Sequence, residues 1–106
     1  MNKNVYNLIE KELYSYPYNK LKIKIESLSS VFLFEVQRRI NAIEEAINIT
    51  LLSSAGKDRY KAISLKYFDA KRTDEGIWND IPCSRATFFR WKKSFIDLVA
   101  ELLGWG

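Results

Sequence analysis

The sequence predicts an all-α protein of about five helices. Glycine and proline are scarce, with four and two residues in 106, which disfavours a turn-rich β fold. Apolar residues recur every three or four positions along most of the chain, which is the spacing of one face of a helix. Hydrophobic residues make up 47% of the chain, enough to build one core and to exclude general disorder.

The first helix is predicted from an apolar stripe that includes Val5, Ile9 and Leu13. Pro17 is expected to end this helix, because a proline pushes the preceding residue out of the α region. Residues 21–26 alternate like a strand but also fit one face of a helix. We interpret them as helix, since the sequence offers no partner strand.

The longest periodic segment runs from residue 31 to about residue 52 and predicts an amphipathic helix. Its apolar stripe consists of Phe32, Val36, Ile40, Ile43, Ile47 and Leu51. Gly56 is expected to stop this helix. It also marks the predicted boundary between an N-terminal helical region, residues 1–56, and a C-terminal module, residues 57–106. The N-terminal region is expected to contact partner chains.

Three helices are predicted in the C-terminal module. The first covers residues 57–68, and the second runs from an N-cap at Thr73 to about Asp80. The last begins after an N-cap at Ser84 and continues to Gly104.

The last two of these helices form a predicted helix-turn-helix. Ile77 and Ile81, on the helix before the turn, are expected to pack against Phe88 and Trp91, on the helix after the turn. Pro82 stiffens the short turn between them. This packing leaves the other face of the helix after the turn free. In helix-turn-helix proteins, the N-terminal end of that helix is the part that enters the major groove.

The free face of the last predicted helix, which follows Ser84, predicts binding to double-stranded DNA. The chain carries a net charge of +4, and four cations but no acid lie between Ile81 and Ile96. The predicted base-reading residues are Arg85, Ala86, Phe89 and Arg90, although Phe89 equally suits the core. The predicted contacts to the DNA backbone are Lys71, Arg72, Thr73, Ser84, Thr87, Lys92 and Lys93.

Several function classes are disfavoured by what the sequence lacks. It contains no histidine, which removes Ser-His and Cys-His catalysis and histidine metal sites. We therefore expect no enzymatic activity, no cofactor and no metal. The single cysteine, Cys83, is interpreted as an apolar filler in the turn rather than a redox sensor. No signal peptide or membrane span is evident, so a cytoplasmic location is expected.

The C-terminal half resembles region 4 of bacterial sigma factors, in which an acidic helix precedes a Ser-Arg-x-Thr recognition helix. The whole chain resembles phage and prophage late-gene regulators of the RinA/ArpU type. That resemblance is carried by the Ile-Glu-x-x-Leu-x-x-Tyr pattern at residues 9–16, the Lys66-Tyr67-Phe68 element and Leu103-Gly104. It implies a transcription regulator that reads a promoter with Arg85, Ala86 and Arg90, in the cytoplasm of a bacterium or a phage-infected host cell.

Three positions depart from the pattern of these families. Trp78 stands where alanine is usual, Pro82 stands where glycine is usual, and Ala86 replaces an acidic residue. The large indole of Trp78 must find room, and the loss of the acid changes the base that is read.

The sequence leaves the partners and two other functions open. A homodimer on paired half-sites is expected, and RNA polymerase is a possible further partner. The alternatives are a recognition subunit for phage DNA packaging, which forms rings, and a helical adaptor that binds only protein.

Overall fold

The computed structural model describes residues 2–25, 31–69 and 74–105, and it confirms the all-α fold. Five α-helices follow one another within these ranges: α1 Lys3–Ile25, α2 Val31–Leu52, α3 Gly56–Ile63, α4 Asp74–Asp80 and α5 Arg85–Leu103. A π-helical turn, Ser64–Phe68, continues α3.

One large core draws on both predicted regions of the chain. Its buried residues are Ile9, Leu13, Ala42, Ile43, Ala46, Ile63, Tyr67, Phe95, Ile96, Val99, Ala100 and Leu103. Residues before and after the predicted boundary at Gly56 therefore bury their apolar surface against each other. The boundary coincides with the turn between α2 and α3, but it does not separate two cores.

Pro17 lies inside α1, so the prediction that it ends the first helix is wrong. A proline in a helix interior costs about 3 kcal/mol, because it removes a backbone hydrogen bond and crowds the preceding turn. Contacts with α2 hold α1 on both sides of the proline and help to offset this cost. Glu12 lies 2.8 Å from Arg39 before it, and Lys20 lies 2.6 Å from Glu44 after it.

The segments that follow Pro17 are helical, as interpreted from the sequence. Residues 21–25 extend α1 instead of forming a helix of their own, and Glu26 lies outside the described residues. α2 has the predicted bounds. Three residues of its predicted stripe are fully packed into the interior: Val36, Ile40 and Ile43. Leu51, at the end of the stripe, is exposed, and the side chain of Phe32 is not among those described.

Gly56 begins α3, so its predicted role as the stop of α2 is wrong. A Cβ atom at this position would overlap the carbonyl oxygens of Thr50 and Leu51. Glycine is required because α3 starts in direct contact with the last turn of α2. The left-handed residue in this turn is Ala55, with a φ of 56°.

The π-helical turn fixes Tyr67 in the core. The backbone N–H of Asp69 donates to the carbonyl of Ser64 at 2.8 Å, which is the wider hydrogen bond of a π-helix. The Tyr67 ring meets Tyr14 edge-on at 4.8 Å, and its hydroxyl donates to Glu10 at 2.6 Å. Burial, reinforced by that hydrogen bond, raises the pKa of Tyr67 far above its ordinary value.

α5 ends at Gly104, as predicted. Gly104 adopts a left-handed conformation with a φ of 75°, and the N–H of Trp105 donates to the carbonyl of Ala100 at 2.8 Å. Arg38 on α2 donates to the carbonyl of Leu103 at 3.2 Å. The C-terminal half of α5 is thus tied to α2, which leaves the N-terminal half as its outward part.

Candidate nucleic-acid interface

α4 and α5 pack together as the sequence predicts. Ile77, Ile81 and Phe88 form a second buried cluster with Ala62 of α3, and Trp91 packs against its edge. Burying each of these larger side chains contributes about 1.5–3 kcal/mol. The cluster is small, but it holds α5 against both α3 and α4 and so fixes which face of α5 points outward.

Ser84 caps the N-terminus of α5, as predicted. Its backbone is extended, with φ −78° and ψ 164°, and its hydroxyl oxygen accepts from the N–H of Thr87 at 3.1 Å. Such a cap stabilises a helix by about 1 kcal/mol relative to alanine. It also fixes the first turn of α5, which carries three of the predicted DNA-contacting residues, Arg85, Ala86 and Thr87.

Asp74 joins the π-helical turn, α4 and α5 through two lysines. Its carboxylate oxygens lie 2.8 Å from the Lys66 ammonium and 3.2 Å from the Lys92 ammonium. Burial by itself would raise the pKa of Asp74, but the two cations outweigh it and hold the pKa below its ordinary value. Asp74 is therefore a charged clip beneath the outer surface.

Lys92 does not lie on the predicted DNA-binding face. Its side chain is only 11% exposed, and its ammonium group lies beside Asp74 and 5.0 Å from the centre of the Phe89 ring. A phosphate contact would require this ammonium to leave both the carboxylate and the ring. We correct the sequence interpretation accordingly and assign Lys92 to the interior.

Four residues of the predicted face are exposed on the N-terminal half of α5: Arg85, Ala86, Arg90 and Lys93. Arg90 donates to the Thr87 hydroxyl at 3.0 Å, which orients its guanidinium along the helix. Lys93 lies 2.9 Å from Asp97, one turn further on. Among the described residues, neither Arg85 nor Arg90 pairs with a carboxylate, so both guanidinium groups are available to an anion.

Arg85 rests on an aromatic platform formed by Trp78 and Phe89. Its guanidinium carbon lies 5.5 Å from each ring centre, within the range of a cation–π contact. Trp78 finds room by packing between this arginine and Phe88, whose ring centre is 6.0 Å away. Phe89 is half-buried against the same cluster, so it supports the outer face from below.

Three predicted backbone contacts, Lys71, Arg72 and Thr73, lie outside the described residues. The same holds for the predicted N-cap role of Thr73. Of the remaining predicted contacts, Ser84 is exposed and Thr87 is half-buried, and both lie at the start of α5.

Sequence reasoning missed the two arrangements beneath the outer face. The position of Lys92 was a usable signal, because it follows Phe88 by four residues and precedes Phe95 by three, which puts it on the inner stripe. The pairing of Asp74 with Lys66 had no such signal, since it depends on the π-helical turn. The same is true of the platform under Arg85, which depends on the angle between α4 and α5.

Cys83 packs at the edge of the small cluster, as the filler interpretation predicts. Burial is the main cause that raises the pKa of the Cys83 thiol. This is the opposite of the lowered pKa that a reactive cysteine needs.

Across the three described ranges, no helix combines the length and apolar character that a membrane span requires. Comparisons with protein-family models, with curated proteins and with solved structures found no match.

Proposed function

We propose that the protein binds double-stranded DNA sequence-specifically through the exposed face of α5 and thereby regulates transcription. The observation that carries the proposal is the pair Arg85 and Arg90, exposed and without carboxylate partners among the described residues, on a capped and anchored helix. A helix of this kind fits the major groove, which is about 12 Å wide.

The proposed contacts divide into two groups. Arg85 and Arg90 read guanine edges, because a guanidinium matches the two acceptors of guanine, and Ala86 between them lies close to the base pairs. The backbone contacts are Ser84, Thr87 and Lys93 at the rim of this face, with Lys71, Arg72 and Thr73 retained from the sequence prediction. Phe89 acts as support for Arg85 in this proposal.

One such helix contacts only a few base pairs, so we propose that a second copy or RNA polymerase supplies the remaining specificity. The resemblance to phage late-gene regulators supports a promoter in a phage or prophage as the site of binding.

The test is selection of bound fragments from random duplex DNA, followed by affinity measurements on the selected sequence. The double variant Arg85→Ala/Arg90→Ala is expected to lose at least about 30-fold in affinity, because two base contacts of about 1–3 kcal/mol each are removed. Lys11→Ala, which removes an exposed lysine from α1, is the matched control and is expected to bind like the wild type.

Failure to enrich any sequence, together with equal affinities of the wild type and the double variant, would contradict the proposal. A circular-dichroism spectrum of each variant confirms that the change in affinity does not arise from unfolding.

A further inference from the structure

An exposed stripe runs along the last two turns of α2, away from the core. Glu45, Ile49 and Leu52 follow one another at spacings of four and three, so they lie on one helix face. Leu52 is 90% exposed and Ile49 is 41% exposed. Water therefore contacts two adjacent large apolar side chains at this end of α2.

A cleft of about 90 Å³ opens beside the stripe, between the end of α2, α3 and α5. Ile49 of α2 and Ser53, directly after α2, line one side of the cleft, and Trp91 of α5 lines another. Arg59 of α3 also lines the cleft, with its guanidinium carbon 5.8 Å from the centre of the Trp91 ring.

Arg59 has a buried hydrogen-bond donor that no acceptor satisfies. Its Nε atom is buried and has no hydrogen-bond partner, and no carboxylate among the described residues pairs with its charge. A buried donor without a partner costs about 1–3 kcal/mol. Because the Nε atom itself is closed to solvent, what the cleft offers to another chain is the uncompensated positive charge of the Arg59 guanidinium, which a carboxylate would balance.

Glu45 supplies the matching chemistry on the same surface. It is exposed, and it has no ion-pair partner in the part of the chain that the structure describes. If two α2 helices pack antiparallel about a twofold axis at Ile49, residues equally far before and after Ile49 face each other. Glu45, four residues before, then faces Ser53 of the second copy, at the cleft that Arg59 lines.

We propose that this surface, formed by Glu45, Ile49, Leu52 and the Arg59 cleft, docks a second copy of the chain. The twofold axis produces two identical contacts between a glutamate and an arginine, and the Ile49 side chains of the two copies cover each other between them. None of these residues belongs to the exposed face of α5, so the inference does not depend on DNA binding.

Charge-reversal variants test this pairing. The oligomeric state is measured by size-exclusion chromatography with light scattering, at protein concentrations from about 10 to about 500 µM. The wild type is expected to dimerise reversibly within this range. Glu45→Arg alone and Arg59→Glu alone are each expected to dimerise at least about tenfold more weakly, because like charges then face each other twice. An equimolar mixture of the two variants is expected to restore the dimer, because the mixed pair has an opposite charge at both contacts.

Phe34→Ser is the matched control. Phe34 is 69% exposed and lies five helical turns before Leu52 on the same face of α2, outside the proposed contact. This variant is expected to dimerise like the wild type. A wild type that stays monomeric at all concentrations, a larger closed ring, or two folded single variants that fail to restore the dimer on mixing would each overturn the proposal.

Discussion

Arg90 and Lys92 are two cations on the first half of α5, two residues apart, and the structure places them in opposite environments. Arg90 is exposed and has no carboxylate partner among the described residues, whereas Lys92 is buried and lies 3.2 Å from Asp74. The outer face of α5, which carries Arg90, therefore has its positive charge exposed to solvent. The inner face uses its charge to connect α5 to α4 and to the π-helical turn.

This difference shows that the number of cations in a segment does not measure its capacity to bind an anion. Position on the helix decides, because each residue is rotated by about 100° from the one before it. Substitutions on the inner face should therefore change the stability of the fold, and substitutions on the outer face should change only binding.

The largest expected effect comes from the inner face, at Phe88. Phe88→Ala is expected to lower the free energy of unfolding by about 3–5 kcal/mol, because the side chain is fully buried in the small cluster and its loss leaves a cavity. Urea denaturation measures the change. Phe34→Ala, at a side chain that is 69% exposed, serves as the control and should shift stability by no more than about 0.5 kcal/mol. Equal losses in the two variants would contradict the assignment of an inner and an outer face.

Asp74→Asn tests the charged part of the inner face. It is expected to lower stability by about 2 kcal/mol at neutral pH, less than for a fully buried pair, because the side chain retains 25% exposure. The pKa of Asp74 is lowered in the folded state, so its contribution is present above pH about 4 and is lost as the pH falls further. The difference between variant and wild type should therefore shrink in acid.

The control for this prediction is Asp97→Asn, which breaks an exposed ion pair with Lys93 and should cost only about 0.3–0.5 kcal/mol. A difference in stability between Asp74→Asn and wild type that grows toward low pH would contradict the stabilising role of the ion pairs of Asp74 with Lys66 and Lys92.

The features that were predicted correctly from the sequence depend on residues that are close together along the chain. The cap at Ser84, the end of α5 at Gly104 and the bounds of α2 follow from local backbone preferences and helical spacing. Pro17 and Gly56 were misinterpreted because tertiary contacts decide their roles. Pro17 is tolerated in a helix held by α2 on both sides, and Gly56 is required by the approach of α3 to the end of α2.

Much of the candidate site was also predictable, since the inner stripe of α5 and its exposed arginines follow from helical spacing. The environment of Lys92 was not recognised, because its charge was counted without its position. The partners of Asp74 and Arg85 come from three different elements, and no local pattern specifies them.

On the outer face, the largest expected effect belongs to Arg90. Arg90→Ala is expected to weaken binding to the selected DNA by about 1–3 kcal/mol and to relax the preference at one base pair. The free energy of unfolding should change by no more than about 0.5 kcal/mol, because the side chain is exposed. Fluorescence anisotropy with the selected duplex and single-base variants of it measures both effects. An unchanged base preference would remove Arg90 from the base-reading group.

The smallest expected effect comes from Lys93, at the rim of the same face. Lys93→Ala should weaken binding to every duplex alike and reduce the slope of log K against log salt by about one, because one phosphate contact is lost. The ion pair with Asp97 competes for this ammonium at 2.9 Å. Asp97→Asn should therefore act in the opposite direction and strengthen binding to all duplexes at low salt. If Lys93→Ala left the salt slope unchanged and Asp97→Asn left the affinity at low salt unchanged, the rim of α5 would not contact phosphate, whatever the role of Arg90.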